Sequence, residues 1–256
     1  MLVQLKSEKD IEKLRHANLI VSDVLDICQD MAKPGVTTWD MEVAARKYLD
    51  KVGAKSAFLN YAPSYDLDPY PAVLCTSRNE RVVHGIPSED EVLEEGDILS
   101  VDFGAFYKGF CGDSARTYEI GKVSDAAHTL SEVTKKSLEK AIEQMIPGNR
   151  LGDVSNAVQT WVESQGFSVI RDFVGHGIGR SMHEPPQVPN YGPKGRGMIL
   201  KPGLVLAIEP MVTEGSWQVE VLDDGWTVVT RDRKLAAHFE HSVAVTEKGP
   251  IVLSRR

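Results

Sequence analysis

Residues 101–117 read VDFGAFYKGFCGDSART. The β-formers Val101, Phe103, Phe106, Phe110 and Tyr118 surround a turn near Tyr107–Lys108–Gly109, so the stretch predicts two antiparallel strands on a tight turn. A turn at Tyr107–Lys108 sets Asp102 directly opposite Asp113. A turn at Lys108–Gly109 makes the pair diagonal, and in both cases the two carboxylates share one face because the strand period is two. Like charges paired across strands are destabilising, and strands select against Asp in general. Two carboxylates placed this way among apolar residues call for a hard or borderline divalent cation, single or paired. An ordinary hairpin with one Asp as a turn or cap residue is the other reading of this stretch.

The chain around it has 256 residues, 42% of them hydrophobic and 26% charged, a soluble globular composition in one large domain or two small ones. A net charge of −8 argues against a nucleic-acid-binding face. No apolar run approaches a membrane span, and the opening MLVQLKSEKDIEKL lacks a signal peptide's apolar core. The three cysteines, Cys28, Cys75 and Cys111, are odd in number and widely spaced, which suits a reducing cytoplasm.

In order, Ser7 and Asp10 cap a first helix that carries Leu14, Ala17, Val21 and Leu25 at helical spacing, ended by Lys33–Pro34–Gly35. A second helix spans about Thr38 to Val52 and closes at Gly53. NYAPSYDLDPYP (60–71) is a tyrosine-bearing loop; Ala72–Ser77 and Val82–Val83–His84 are short strands. A second helix pair, about Ser124–Met145 and Leu151–Gln165, follows the hairpin. PGVTTWDMEVAARKYLDKVG (34–53) aligns without gaps on PGNRLGDVSNAVQTWVESQG (147–166), and EEGDILSVDFG (94–104) on KPGLVLAIEPM (201–211). These matches predict a duplicated α/β unit in which Asp102 corresponds to Glu209 and Asp113 to Glu240.

Four carboxylates drawn together by such a pseudo-twofold cannot share a dry cleft uncompensated. Two divalent ions would neutralise them. Asp223–Asp224–Gly225 reads only as a hairpin turn between VEVL and WTVV. GHGIGRSMHEPP (175–186) brings His176 and His183 in a Gly-rich stretch, and imidazole suits Mn, Fe, Co and Zn. His84, at a strand end before Gly-Ile-Pro, is a further candidate. His16 and His128 are read as surface residues. Strand alternation is taken to turn His238 and His241 away from the face of Glu240, so both are read as non-ligands.

VVHGIP, GDILSVDFGAFYKGFCGDSART, GHGIGRSMHEPPQVPNYG, LKPGLVLAIEP and AHFEHSVAVTEKG together resemble the signature stretches of type I (bacterial-type) methionine aminopeptidases, over about residues 5 to 252. The resemblance implies an α/β (α+β) chain with the pita-bread (creatinase/aminopeptidase) fold: two pseudo-symmetric halves, about 5–120 and 121–252, around a central antiparallel sheet in one catalytic domain, 1–256. It implies two divalent metal ions (Co, Mn, Fe or Zn) held by Asp102, Asp113, His176, Glu209 and Glu240, with Asp113 and Glu240 bridging. Glu209 would shuttle the proton of the attacking water, His183 would stabilise the oxyanion and His84 would contact the peptide beyond the cleaved bond. Phe58, Tyr61, Tyr70, Cys75, Met182 and Trp226 would form the pocket for Met. The implied substrate is the N-terminal Met of nascent polypeptides, before a small second residue. The implied enzyme is a cytoplasmic monomer with transient ribosome association and no membrane or direct nucleic-acid partner.

The chain departs from the family pattern at three points. Met182 stands where many bacterial members have Phe, Phe58 stands where Cys is common, and the loop between Tyr61 and Tyr70 is longer than in the shorter bacterial forms. Asp66 and Asp68 in that loop are either solvated, or part of a cleft rim favouring Lys or Arg at the third or fourth substrate position. An Xaa-Pro aminopeptidase of the same fold is the alternative reading; a metal-free binding module conflicts with five intact ligands.

Overall fold

The structure, a computed structural model, describes residues 3–63 and 67–256. The first half contains α1 (Glu8–Met31), α2 (Thr38–Val52), β1 (Lys55–Ser56), β2 (Cys75–Arg78), β3 (Arg81–Val83), β4 (Ile98–Tyr107) and β5 (Phe110–Glu119). Then follow α3 (Asp125–Glu143), α4 (Leu151–Ser164), β6 (Ser168–Val169), β7 (Gly175–Gly177), β8 (Glu184–Val188), β9 (Val205–Ile208) and β10 (Met211–Thr213). The chain ends with β11 (Val219–Val221), β12 (Val228–Thr230), β13 (Ala236–His238), β14 (His241–Thr246) and β15 (Gly249–Val252).

Local chemistry sets the helix ends. The Ser7 hydroxyl accepts from the Asp10 N–H, and Thr37 with Asp40 forms a reciprocal capping box that satisfies two otherwise orphaned donors. Gly53, at φ 68°, supplies the left-handed C-cap of α2. The buried faces of α1 and α2, with Val21, Leu25, Met41 and Leu49, pack on Leu99, Val101 and Phe103 of β4. A second cluster sets Leu130, Leu138, Val154 and Val158 of α3 and α4 against Leu206 and Ile208 of β9.

The hairpin adopts the diagonal of the two registers that its sequence allows. Lys108 (φ 48°) and Gly109 (φ 81°) form the turn, the positive-φ pair that matches strand twist in two-residue hairpins. Tyr107 therefore faces Phe110, Asp102 faces Ala115, and Asp113 faces Gly104. The expected strand at Ala72–Ser77 begins only at Cys75. The N–H groups of Val73 and Leu74 donate instead to the buried carboxylate of Glu42, each at 2.9 Å. The Asp223–Asp224–Gly225 turn lies between antiparallel β11 and β12 as expected, with Asp224 accepting from the Trp226 and Thr227 N–H groups.

β4 pairs with β5 on one side and with β1 and β2 on the other, and β15-β14-β9-β7-β8 makes a five-stranded antiparallel sheet. The two sheets are stitched where the site forms. The Glu240 N–H donates to the Ala115 carbonyl at 2.9 Å, the Ser114 hydroxyl to the Glu240 carbonyl at 2.5 Å, and the Ser242 hydroxyl to the Asp113 carbonyl at 2.9 Å. These bonds fix Asp113 and Glu240 relative to each other through backbone, independent of their side chains.

α1 presses on the same point. A Cβ on Gly112 would lie 2.6 Å from Asn18 N and 2.7 Å from Ala17 C, both backbone atoms of α1. The neighbouring Asp113 N–H donates to Asn18 Oδ1 at 3.3 Å. Gly112→Ala must therefore push α1 off β5, and should destabilise the fold by about 2–3 kcal/mol. Urea denaturation checks this, and an unchanged midpoint would refute the close packing.

Candidate metal centre

Asp102 lies on β4 and Asp113 on β5; Glu209 follows β9 directly and Glu240 directly precedes β14. His176 is the middle residue of β7, between two glycines that let the strand approach its neighbours. A Cβ on Gly175 would meet the Ala207 carbonyl oxygen at 2.4 Å, and one on Gly177 the Pro185 carbonyl oxygen at 2.3 Å. Donor atoms of Asp113, His176 and Glu240 all lie within 4.8 Å of one another, and all three residues are buried. His176 Nε2 is 3.9 Å from Asp113 Oδ2 and 3.6 Å from Glu209 Oε1. Its Nδ1 lies 2.9 Å from the Gly177 carbonyl, which fixes the proton on Nδ1 and leaves the Nε2 lone pair facing the carboxylates.

The electrostatics of this cluster are those of a cation site. Burial pushes Asp102 up to about 7. Asp113 is raised well above the carboxylate range by burial, then by Asp102; Glu240 by burial, then by Asp113; and Glu209 by burial, then by Asp102. Burial, then the charge of His183, draws His176 down to about 4, so it is neutral near pH 7 and able to act as a ligand. Asp102 Oδ1, Asp113 Oδ1 and Glu240 Oε1 are buried without any hydrogen-bond partner. Buried polar atoms are rarely left unpaired, and here three carboxylate oxygens from three residues are. This oxygen-rich set with one imidazole nitrogen fits a divalent metal ion.

One cavity of about 240 Å³ gathers every residue proposed from the sequence: Asp102, Asp113, His176, Glu209 and Glu240, the histidines His84 and His183, and Phe58, Tyr61, Tyr70, Cys75, Met182 and Trp226. His84, just past β3, has φ 60°, and its ring meets Phe173 and Trp226 edge-on at 5.4 and 6.2 Å. Burial draws it down to about 4. The ring of His183 lies 4.4 Å from that of His176, and its Nδ1 is 3.0 Å from the Tyr61 hydroxyl. The Trp226 indole N–H donates to the Asp68 carbonyl at 2.9 Å, which ties the pocket to the 61–70 loop. Asp68 is exposed, and Asp66 lies outside the described residues.

The structure corrects the reading of His238. Its Nε2, buried and unpartnered, is 4.0 Å from Glu209 Oε2, so the ring sits behind Glu209 rather than away from the site. Residues 238 and 240 are two apart and would share a face in an unbroken strand, so alternation does not separate them. The strand is in fact broken between β13 and β14. That spacing was itself the signal for His238. His241 does lie away from the cluster, against Ser254 and Arg255. Both His16 and His128 are exposed. Phe173, Val174 and Met211 also line the cavity, with no motif to announce them.

The profile of metallopeptidase family M24 matches residues 12–247. A methionine aminopeptidase of Aquifex aeolicus is 48% identical over 258 residues, 99% of each chain. The crystal structure of methionine aminopeptidase from Thermotoga maritima superposes with a TM-score of 0.96 at 46% identity, over the whole of both chains. The prolidase from Pyrococcus furiosus matches 98% of this chain and 65% of its own at a TM-score of 0.78, with 21% identity, a likeness of fold alone.

The raised carboxylates have a measurable consequence in metal-free protein. Folded Asp102 titrates near 7 against an ordinary value of 3.8, so the folded state binds more protons than the unfolded state between those limits. Its stability contribution is complete below about pH 4 and is lost as pH rises towards 7. The melting temperature of metal-free protein should therefore fall across this window, and added Mn²⁺ at pH 7 should restore it while releasing protons. Calorimetry in two buffers of different ionisation enthalpy checks the release; equal heats in both would refute it.

Proposed function

The chain belongs to metallopeptidase family M24, has the pita-bread fold and is a methionine aminopeptidase, and from that premise we propose how its residues divide the work. Asp102, Asp113, His176, Glu209 and Glu240 would hold two divalent ions drawn from Co, Mn, Fe and Zn. Asp113 and Glu240 would serve both ions, Asp102 one, and His176 with Glu209 the other. The observation that carries this reading is the convergence of Asp113, His176 and Glu240 donor atoms beside an apolar pocket in one cavity. When bound, the ions supply Lewis acidity, which makes water nucleophilic near neutral pH and neutralises the carboxylates.

The protein's own groups do the rest. Glu209, kept basic by burial and by Asp102, takes the proton of the attacking water and returns it to the leaving amine. With the Tyr61 hydroxyl donating to His183 Nδ1, the proton of His183 sits on Nε2, free to donate to the oxygen that gains charge on the scissile carbonyl. His84, neutral near pH 7, hydrogen-bonds the peptide beyond the cleaved bond. Phe58, Tyr61, Tyr70, Cys75, Met182 and Trp226 take the Met side chain, with a small second residue favoured. Tyr70 and Trp226 meet edge-on at 5.1 Å, and Tyr70 donates to the Leu74 and Gly85 carbonyls, so this wall is rigid.

On the same reading the chain is a single catalytic domain, internally duplicated over about 5–120 and 121–252. It works as a cytoplasmic monomer with transient contact at the ribosome, on the N-terminal Met of nascent polypeptides. Among the described residues no helix is long and apolar enough to cross a membrane.

Asp113→Ala and Glu240→Ala should each abolish nearly all activity and lower metal content, because each deletes a shared ligand and unbalances the remaining carboxylates. His84→Ala should keep its metal while kcat drops about a hundredfold. Metal analysis beside steady-state kinetics separates these outcomes, and metal loss in the His84 variant would overturn its role. Titrating divalent ions against Met-Ala-Ser and Ala-Pro peptides tests substrate class: cleavage of Ala-Pro in preference would point to an Xaa-Pro enzyme instead.

A further inference from the structure

Arg171 lies three residues past the start of β6, held between two aromatic faces. Its guanidinium carbon is 5.4 Å from the Tyr191 ring centroid and 5.0 Å from that of Trp217. Its Nε is buried without a hydrogen-bond partner. No carboxylate among the described residues lies within 4.0 Å of its nitrogens, the exposed neighbour Asp172 included. The cation is thus fixed by stacking but not neutralised, and a guanidinium stacked through its faces keeps its N–H edges free.

The chain neighbours of Arg171 and Tyr191 are joined to the catalytic cavity. Phe173, two residues on, lines the cavity and meets His84 at 5.4 Å. The Ile170 N–H donates to the carbonyl of Met211, another lining residue, at 2.9 Å. Asn190, beside Tyr191, donates to the Glu209 carbonyl at 3.0 Å. Arg171 is therefore two residues from a lining residue that meets the His84 ring.

We propose that Arg171, clamped by Tyr191 and Trp217, forms a substrate subsite that donates hydrogen bonds to the main-chain carbonyls of the peptide's third and fourth residues. The inference rests on the aminopeptidase reading, which sets the peptide beyond the cleaved bond against His84. Phe173 and Arg171 are two positions apart, so the chain holds them within roughly 7 Å, no more than the span of two residues on an extended peptide. Side chains at these positions vary from one nascent protein to the next, whereas carbonyl oxygens are common to all. The five-donor fork of Arg suits such acceptors.

The test compares kcat/KM for Met-Ala-Ser-Gly-amide with that for Met-Ala-amide, using the metal-loaded protein. The wild type should favour the longer peptide by about tenfold, the size expected for a hydrogen bond to a charged donor. In Arg171→Met this ratio should fall to near one, mainly through KM, with partial recovery in Arg171→Lys. Trp217→Leu, which removes one face of the clamp and leaves the cation, should lower the ratio as well, and it serves if the Met variant folds poorly. A ratio equal in wild type and variants overturns the inference. So does a loss confined to a peptide with Glu at position four, which would make Arg171 a reader of acidic side chains. Failure of the wild type to cleave either peptide overturns the aminopeptidase reading, and this inference with it.

Discussion

Four buried or nearly buried carboxylates, Asp102, Asp113, Glu209 and Glu240, face one cavity. Their mutual repulsion, with the desolvation of each, is the constraint to which the surrounding structure answers. Side chains under such repulsion would splay the strands that carry them. The framework resists with bonds that do not depend on the side chains: the paired Ala115–Glu240 backbone, the Ser114 and Ser242 hydroxyls on neighbouring carbonyls, and Asn18 on the Asp113 N–H. Glycines at 112, 175 and 177 draw helix and strands into contacts that a Cβ would forbid. The fold holds the acids together, and bound divalent metal would make that arrangement favourable.

Histidine is not the source of the compensation. His176 and His84 are drawn down to about 4 and His238 to about 3, each chiefly by burial. Near neutral pH all three are uncharged, so the acids must be balanced by protons or by metal ions. Neutral imidazoles still donate and accept, which is what a ligand and its neighbours need beside a centre already crowded with charge. The carboxylate of Glu209 shows the arrangement closely, with His176 Nε2 at 3.6 Å from one oxygen and His238 Nε2 at 4.0 Å from the other.

Much of this was legible in the chain because the site breaks ordinary sequence rules. Asp102 and Asp113 within strands, and Glu209 and Glu240 directly beside strands among apolar residues, are costly without a purpose, and that cost made all four readable. Caps fixed the helices for local reasons, so α2 runs over Thr38–Val52 as its Thr37 box and Gly53 imply. Features set by distant partners were not readable. The claim of Glu42 on Val73 and Leu74 shortens β2, and two-residue strands such as β1 and β6 exist only through their neighbours. The bond between Tyr61 and His183 spans 122 positions, and no local pattern encodes it.

The departures in the pocket become intelligible as one change of shape. On the family pattern that the sequence resembles, Phe58 stands where Cys is common and Met182 where many bacterial members have the larger Phe. Both side chains are buried in the same cluster, with Cys75, Tyr70 and Trp226, and both line the cavity. Bulk added at one wall is removed at another, the kind of volume-conserving exchange that packed interiors tolerate. Gly104 makes the larger residue possible, since a Cβ there would meet Phe58 Cε1 at 2.8 Å and Asp113 Oδ1 at 3.2 Å. The same glycine thus borders the apolar pocket on one side and a carboxylate of the metal centre on the other. Any residue larger than glycine at 104 would press on both, so pocket shape and metal geometry in this protein are coupled through the middle of β4.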